Sequence, residues 1–330
     1  MGDVAMAVPV LRAFTKQYPQ VRITMVSRPL FKPFFDIPNV DFFGFDAKDR
    51  HQGAMGILRL YSDLRNLKPT AFADFHNVLR SKIVGALFKI SGVKTSVFDK
   101  DRQRKKMLTR ADNKIFEPLK PVVDKYTDVF AALGFPVKLD SNAISPKYPL
   151  DSDVLNIAGN KTNTWIGIAP FAQHNAKVYP RDLMQQVIER LSEQTSTIFL
   201  FGSGAVEIAN LELFAKSKPN VIVIAGKLTL AQELQIISNL DVMLSMDSGN
   251  AHMAAMFGIP VVTLWGATHP YAGFSPFNQP AENALTSDRT QYPLLPTSIY
   301  GNKIIEGYED VMRTISPQSV VDRIQAVVGP

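Results

Sequence analysis

The sequence contains no cysteine. That excludes disulfides, thiolate nucleophiles and cysteine-ligated metals, and suits a cytoplasmic protein. Histidine is scarce, with five residues at 51, 76, 174, 252 and 269, and their spacing matches no metal site. No apolar run approaches the roughly 20 residues that a membrane-spanning helix needs. No signal-peptide pattern opens the sequence. A large charge excess is lacking too. Lys and Arg number 36 against 30 Asp and Glu, a formal balance of +6. So modest a bias favours anionic partners, and nucleic acid, phosphorylated sugars and acidic membrane surfaces all qualify on charge alone.

What is present describes a two-domain globular protein. The 330 residues, 46% hydrophobic and 20% charged, exceed what one small core needs. Short β-rich runs alternate with amphipathic helical segments in both halves, which predicts an α/β protein with parallel sheets covered on both faces. In the first half, 21–27, 40–45 and 71–76 read as strands, with helices over 4–16, 54–67, 78–90 and 121–133. The second half repeats the rhythm, with strands at 164–169, 197–201, 221–225, 242–245 and 261–265. Helices fall at 181–192, 206–216, 230–239 and 248–257. Residues 135–153 carry three prolines and form the linker candidate. The expected domains are therefore 1–145 and 146–315, with a closing helix over 316–330 that could pack back on the first domain. Met1-Gly2-Asp3 leads straight into a helix, where a doubly wound domain normally places a strand first. The expectation is that the natural chain starts upstream.

The strongest motif is Asp247-Ser248-Gly249-Asn250-Ala251-His252 after the apolar run 242–246, continuing to Gly258-Ile259-Pro260 and Trp265-Gly266-Ala267-Thr268. Asp247 or Ser248 can cap the helix that follows, and Gly249 lets a ligand approach the backbone. Free amides at the helix start suit a diphosphate. His252 lies about one turn on. An ordinary capped helix with a satisfied histidine is the simpler alternative. The extended string, however, resembles the signature of glycosyltransferase family 9, the heptosyltransferase family.

Four further stretches fit that resemblance. Gly2-Asp3-Val4 is similar to the family's first loop, which implies that Asp3 is the general base on the acceptor hydroxyl. Taken alone, Asp3 also fits a helix cap. Gln173-His174-Asn175-Ala176-Lys177-Val178-Tyr179-Pro180 resembles a loop whose lysine contacts the donor phosphate, although Ala172 and Gln173 stand where some members carry hydroxyls. Gly202-Ser203-Gly204 looks like a dinucleotide fingerprint, but Glu207 occupies its third glycine position. The resemblance makes Glu207 a nucleoside contact instead. Asp74-Phe75-His76, with Arg80 and Ser81 following, is similar to an acceptor-side segment, so His76 and Arg80 would meet an anionic acceptor. Arg102, Arg104, Lys105, Lys106 and Arg110 read either as a solvated loop or as an acceptor- or membrane-facing patch; Arg104 and Lys105 are the acceptor candidates there.

The resemblance implies a GT-B fold, two Rossmann-like domains facing across a cleft. It also implies an inverting, metal-independent transfer, with ADP-heptose as donor and a lipopolysaccharide-core glycan as acceptor. Asp3 and Lys177 would be catalytic, and Gln173, Lys177, Glu207, Asp247, Ser248, Gly249 and His252 would hold the donor. No cofactor, metal or nucleic acid is expected. A monomer is, located in the cytoplasm or at the inner face of the inner membrane. Asp99/Asp101 and Asp151/Asp153 imitate a metal-binding Asp-x-Asp, but in polar, loop-like surroundings. The competing readings are another GT-B enzyme, such as a sugar-nucleotide epimerase, and a non-catalytic homologue that still binds the nucleotide-sugar.

Overall fold

A computed structural model describes residues 1–303 and 305–329. Along the chain run α1 (Gly2–Gln17), β1 (Ile23–Ser27), β2 (Val40–Gly44), α2 (Gly53–Arg65), β3 (Ala71–Asp74), α3 (Leu79–Ile90), β4 (Lys94–Val97), α4 (Arg102–Thr109) and α5 (Val122–Leu133). The second half holds α6 (Ser152–Ala158), β5 (Thr164–Ala169), α7 (Arg181–Ser192), β6 (Ser196–Leu200), α8 (Gly204–Ala215) and β7 (Val221–Val223). It continues with α9 (Leu230–Ser238), β8 (Val242–Met246), α10 (Gly249–Ala255), β9 (Val261–Trp265), β10 (Ala284–Thr286) and α11 (Pro317–Val328).

Two compact units divide the chain. The first holds Asp3–Asp101 and Lys120–Ile144, and the second Arg102–Leu119 and everything from Ser145 onward. This corrects the expected boundary, because the basic segment 102–119 belongs to the second unit. Tertiary packing explains it. Leu108 and Leu119 are buried with Ala272 and pack with Phe116, Tyr271 and Phe274, while Lys114 Nζ donates to the carbonyls of Leu108, Leu294 and Pro296 at 3.0, 2.8 and 2.8 Å. The closing helix α11 belongs to the second unit. In α11, Val320, Val321 and Ile324 share the second unit's core with Met184, Val187 and Ile188 of α7. Residues 135–151 hold no helix or strand, and the units part at Ile144 and Ser145.

In the first unit four strands form two parallel pairs, β1 with β2 and β3 with β4. Among the described residues no strand bridges the pairs into one sheet. α1 is buried along most of its length, with Phe14 against Phe130 at 4.3 Å between ring centroids.

The second unit is a six-stranded parallel sheet in the order β10-β9-β8-β5-β6-β7. All five residues of β8 and of β9 are buried, as expected of central strands with helices on both faces. From β5 the chain winds outward through β6 and β7, then returns to lay β8 on the other side of β5. The topology therefore switches between β5 and β8. Open α/β sheets hold their ligands at the carboxyl ends of the strands flanking such a point. No described helix is long and apolar enough to cross a membrane.

Candidate functional site

The two loops at the switch point meet through an ion pair. Lys177, on the loop after β5, places Nζ 3.0 Å from Oδ2 of Asp247, the first residue after β8, and both side chains are largely buried. Asp247 is thus not the cap of α10. Ser248 takes the cap position, yet its hydroxyl makes no capping bond and lies 3.0 Å from the Ser245 hydroxyl. The first amides of α10 are left without a side-chain partner, beside a lysine. That arrangement suits an anion.

The lysine is held from several sides. The backbone N–H of Ala267, just past β9, donates to the Ala176 carbonyl at 3.0 Å. A Cβ on Gly266 would sit 2.6 Å from that carbonyl. A Cβ on Gly301, whose φ is +75°, would sit 2.3 Å from Lys177 Cδ. Only glycine lets these backbones pass so close to the lysine loop. Behind it, the Tyr179 hydroxyl donates to the Ile315 carbonyl at 2.6 Å inside the core. Tyr179→Phe should leave that carbonyl unpaired and cost about 1–3 kcal/mol, read as a lower urea midpoint. An unchanged midpoint would show that the bond does not anchor the loop.

His252 is buried, and its Nδ1 has no partner among the described residues. Burial, with the Lys177 charge second, pushes its pKa down to about 4. The imidazole is therefore neutral at physiological pH and can donate or accept a hydrogen bond without adding charge. Glu207, in the first turn of α8 at the end of β6, accepts the Ser203 N–H at 2.7 Å. Gln173 is exposed on the loop after β5. The second unit thus gathers Lys177, Asp247, Ser248, Gly249 and His252 around the ends of β5 and β8, with Glu207 at the next strand.

The candidates of the first unit sit at helix starts. Asp3 lies in the first turn of α1, whose cap position is Met1, so it is not the cap residue. Its charge reaches Tyr126, whose hydroxyl pKa is raised well above the ordinary value, first by burial and then by Asp3. At the end of β3, Asp74 Oδ1 accepts the backbone N–H groups of His76 and Asn77 at 2.9 and 2.8 Å. His76 is exposed. Arg80 lies over the Phe45 ring, 5.1 Å from its centroid. Three buried polar atoms here lack partners among the described residues: Asp74 Oδ2, Asn77 Oδ1 and Arg80 Nε. Such groups are costly unless something pairs with them. Asn77, with φ +51° and its Nδ2 donating to the Phe98 carbonyl at 2.7 Å, is a further candidate that sequence reasoning did not single out; its position directly before Val78 and the helix was the available signal.

Arg104 and Lys105 fall in α4, on the second unit, where a loop was one of the readings. Arg104 is exposed. Lys105 turns inward, its Nζ 4.8 Å from the Phe274 ring centroid and 3.4 Å from the Tyr300 hydroxyl. This corrects its place in a solvent-facing basic patch, since cation–π contact holds it inside. The Asp-x-Asp imitations also have structural duties: Asp101 pairs with Lys125 at 3.2 Å, and Asp151 caps α6 through the Val154 N–H.

A six-stranded parallel sheet with an uncapped helix start and a buried lysine at its switch point fits the nucleotide-binding half of a GT-B glycosyltransferase. The model for glycosyltransferase family 9 (heptosyltransferase) matches residues 57–298. A lipopolysaccharide core heptosyltransferase, OpsX, of Haemophilus influenzae is 26% identical over 290 residues, covering 82% of this chain and 77% of the relative. Among solved structures, the family 9 glycosyltransferase of Veillonella parvula superposes with a TM-score of 0.73 at 18% identity, covering 99% of this chain and 94% of its own. The Escherichia coli ADP-heptose lps heptosyltransferase II gives 0.67 at 20%, with coverage of 99% and 95%. The chain belongs to glycosyltransferase family 9.

Proposed function

We propose that this glycosyltransferase moves a heptose from ADP-heptose to a lipopolysaccharide-core acceptor, inverting the anomeric centre and using no metal. The observation that carries the proposal is the Lys177–Asp247 pair beside the uncapped amides of α10. A diphosphate at that helix start gains the dipole and the lysine together. Relatives named for lipopolysaccharide heptose transfer supply the sugar and the acceptor.

In this reading the acceptor hydroxyl gives its proton to the Asp3 carboxylate as its oxygen bonds to the anomeric carbon. The bond from that carbon to the diphosphate breaks, and ADP leaves with the electron pair. Lys177, Ser248 and Gly249 stabilise the growing negative charge. His252 and Gln173 complete the donor pocket, and Glu207 holds the nucleoside. One displacement with one base inverts the centre. His76 and Arg80 meet the anionic acceptor, as does the exposed Arg104. With a lysine and helix amides facing the leaving group, no bridging cation is required for this step.

Calorimetric titration of ADP, UDP, GDP and CDP, followed by radiolabelled transfer from ADP-heptose to heptose-deficient lipopolysaccharide in EDTA, tests the proposal. ADP should bind best, and donor should be consumed only when acceptor is present. Consumption without acceptor would replace transfer by hydrolysis or epimerisation. Activity lost in EDTA and restored by a divalent cation would remove the metal-independent part.

A further inference from the structure

The solvent face of α3 has an unusual composition. Its exposed positions are Leu79, Lys82, Ile83, Ala86, Lys89 and Ile90. None is an acid or a neutral polar residue. Leu79, Ile83, Ala86 and Ile90 follow the spacing i, i+4, i+7, i+11, which at 100° per residue confines them to an arc of about 60°. Leu79 is 74% exposed and Ile90 84%. The opposite face already supplies the core, with Val84 and Phe88 packed against Leu60 and Leu64 of α2. The apolar stripe is therefore not a piece of core turned outward by chance.

Charge around the stripe is one-sided. Lys82 and Lys89 border it along one edge of the helix, and Arg59, Arg65, Lys68 and Lys94 are exposed on the neighbouring stretch 53–97. The two carboxylates of that stretch are both occupied: Asp63 pairs with Arg50 and His51, and Asp74 is buried and bonded to backbone N–H groups. An apolar stripe bordered by cations and free of acids matches a surface with an apolar interior and anionic headgroups. A protein partner of mixed charge would not need the acids to be missing.

We infer that the exposed face of α3 docks this protein onto anionic lipid bilayers, with Leu79, Ile83 and Ile90 entering the interface and Lys82 and Lys89 meeting headgroups. The inference stands on α3 alone. Joined to the proposed reaction, it brings His76 and Arg80, at the start of the same helix, to the surface from which a lipid-borne acceptor projects.

Flotation of the full chain with vesicles tests it. The protein should float with phosphatidylcholine vesicles containing 30% phosphatidylglycerol, and not with phosphatidylcholine alone. Leu79→Ser/Ile83→Ser/Ile90→Ser should lower binding at least about tenfold. Lys82→Gln/Lys89→Gln should lower it roughly fivefold per lysine, and salt should abolish the difference. ADP affinity should be unchanged in both variants, which also reports that they fold. Failure of the parent to float, or equal flotation of the triple variant, overturns the inference. So does a parent dimer that the triple variant turns into a monomer, since a second copy would then own the stripe. A protein that binds ADP and transfers heptose yet never floats loses the docking surface alone. One that floats but transfers nothing loses the reaction alone.

Discussion

Replacing Asp3 by Ala should slow heptose transfer by about 10²–10⁴-fold, the usual contribution of a positioned general base, while ADP affinity stays within a few fold. The side chain is in the first turn of α1, where a carboxylate interacts favourably with the helix dipole. α1 is itself wedged into the first unit's core by Met6, Val10, Leu11 and Phe14, so the carboxylate rides on a rigid element. The structural cost of losing it is small, about 0.3–1 kcal/mol for one charge at a helix start. That separates the two explanations for any loss of rate. Asp3→Asn keeps the shape and removes only the ability to take a proton, so it should be as slow as Asp3→Ala. Transfer by Asp3→Asn at the parent's rate, measured under saturating donor, would take the base role from this residue.

The sequence was a better guide to the second unit than to the first, for a physical reason. Central strands of a parallel sheet bury every residue, so β8 and β9 stand out as apolar runs broken only by one hydroxyl residue each, Ser245 and Thr263. β4, Lys-Thr-Ser-Val, buries a single residue and carries no such run. It is a strand because it pairs with β3, which no local pattern reveals. α4 is hidden for a related reason. Five of its eight residues are Arg, Gln or Lys, and it forms where Leu108 finds partners more than 150 residues away. The site divides in the same way. Asp247, Ser248 and His252 were legible because one continuous motif, Asp247–His252, holds them all. Their lysine partner was legible as a motif, but not as a partner. That Lys177 touches Asp247 follows from β5 lying beside β8, which is a fact of strand order. Gly301 belongs to no motif, and its role exists only because the Lys177 stem passes against its Cα.

Lys177→Ala should reduce kcat/KM for the donor by about 10²–10³-fold and also destabilise the protein by as much as about 3–5 kcal/mol, because it strands the Asp247 carboxylate in a buried site. The two effects have different cures. In Lys177→Ala/Asp247→Asn the unpaired charge is gone, so most of the lost stability should return, whereas transfer should stay low because nothing neutralises the leaving diphosphate. Gly301→Ala approaches the same lysine from outside. Its Cβ would overlap the Lys177 stem, and φ at this position is unfavourable for any side chain, so the ammonium must shift. A displacement of about 1 Å in a catalytic group can cost about 10²-fold. Gly301→Ala should therefore weaken ADP binding and slow turnover together, although residue 301 itself carries no chemistry. Calorimetry with ADP and a thermal melt on each variant decide the matter. If the double variant regains stability and also regains transfer, Lys177 serves only to neutralise Asp247, and the diphosphate is held by other groups.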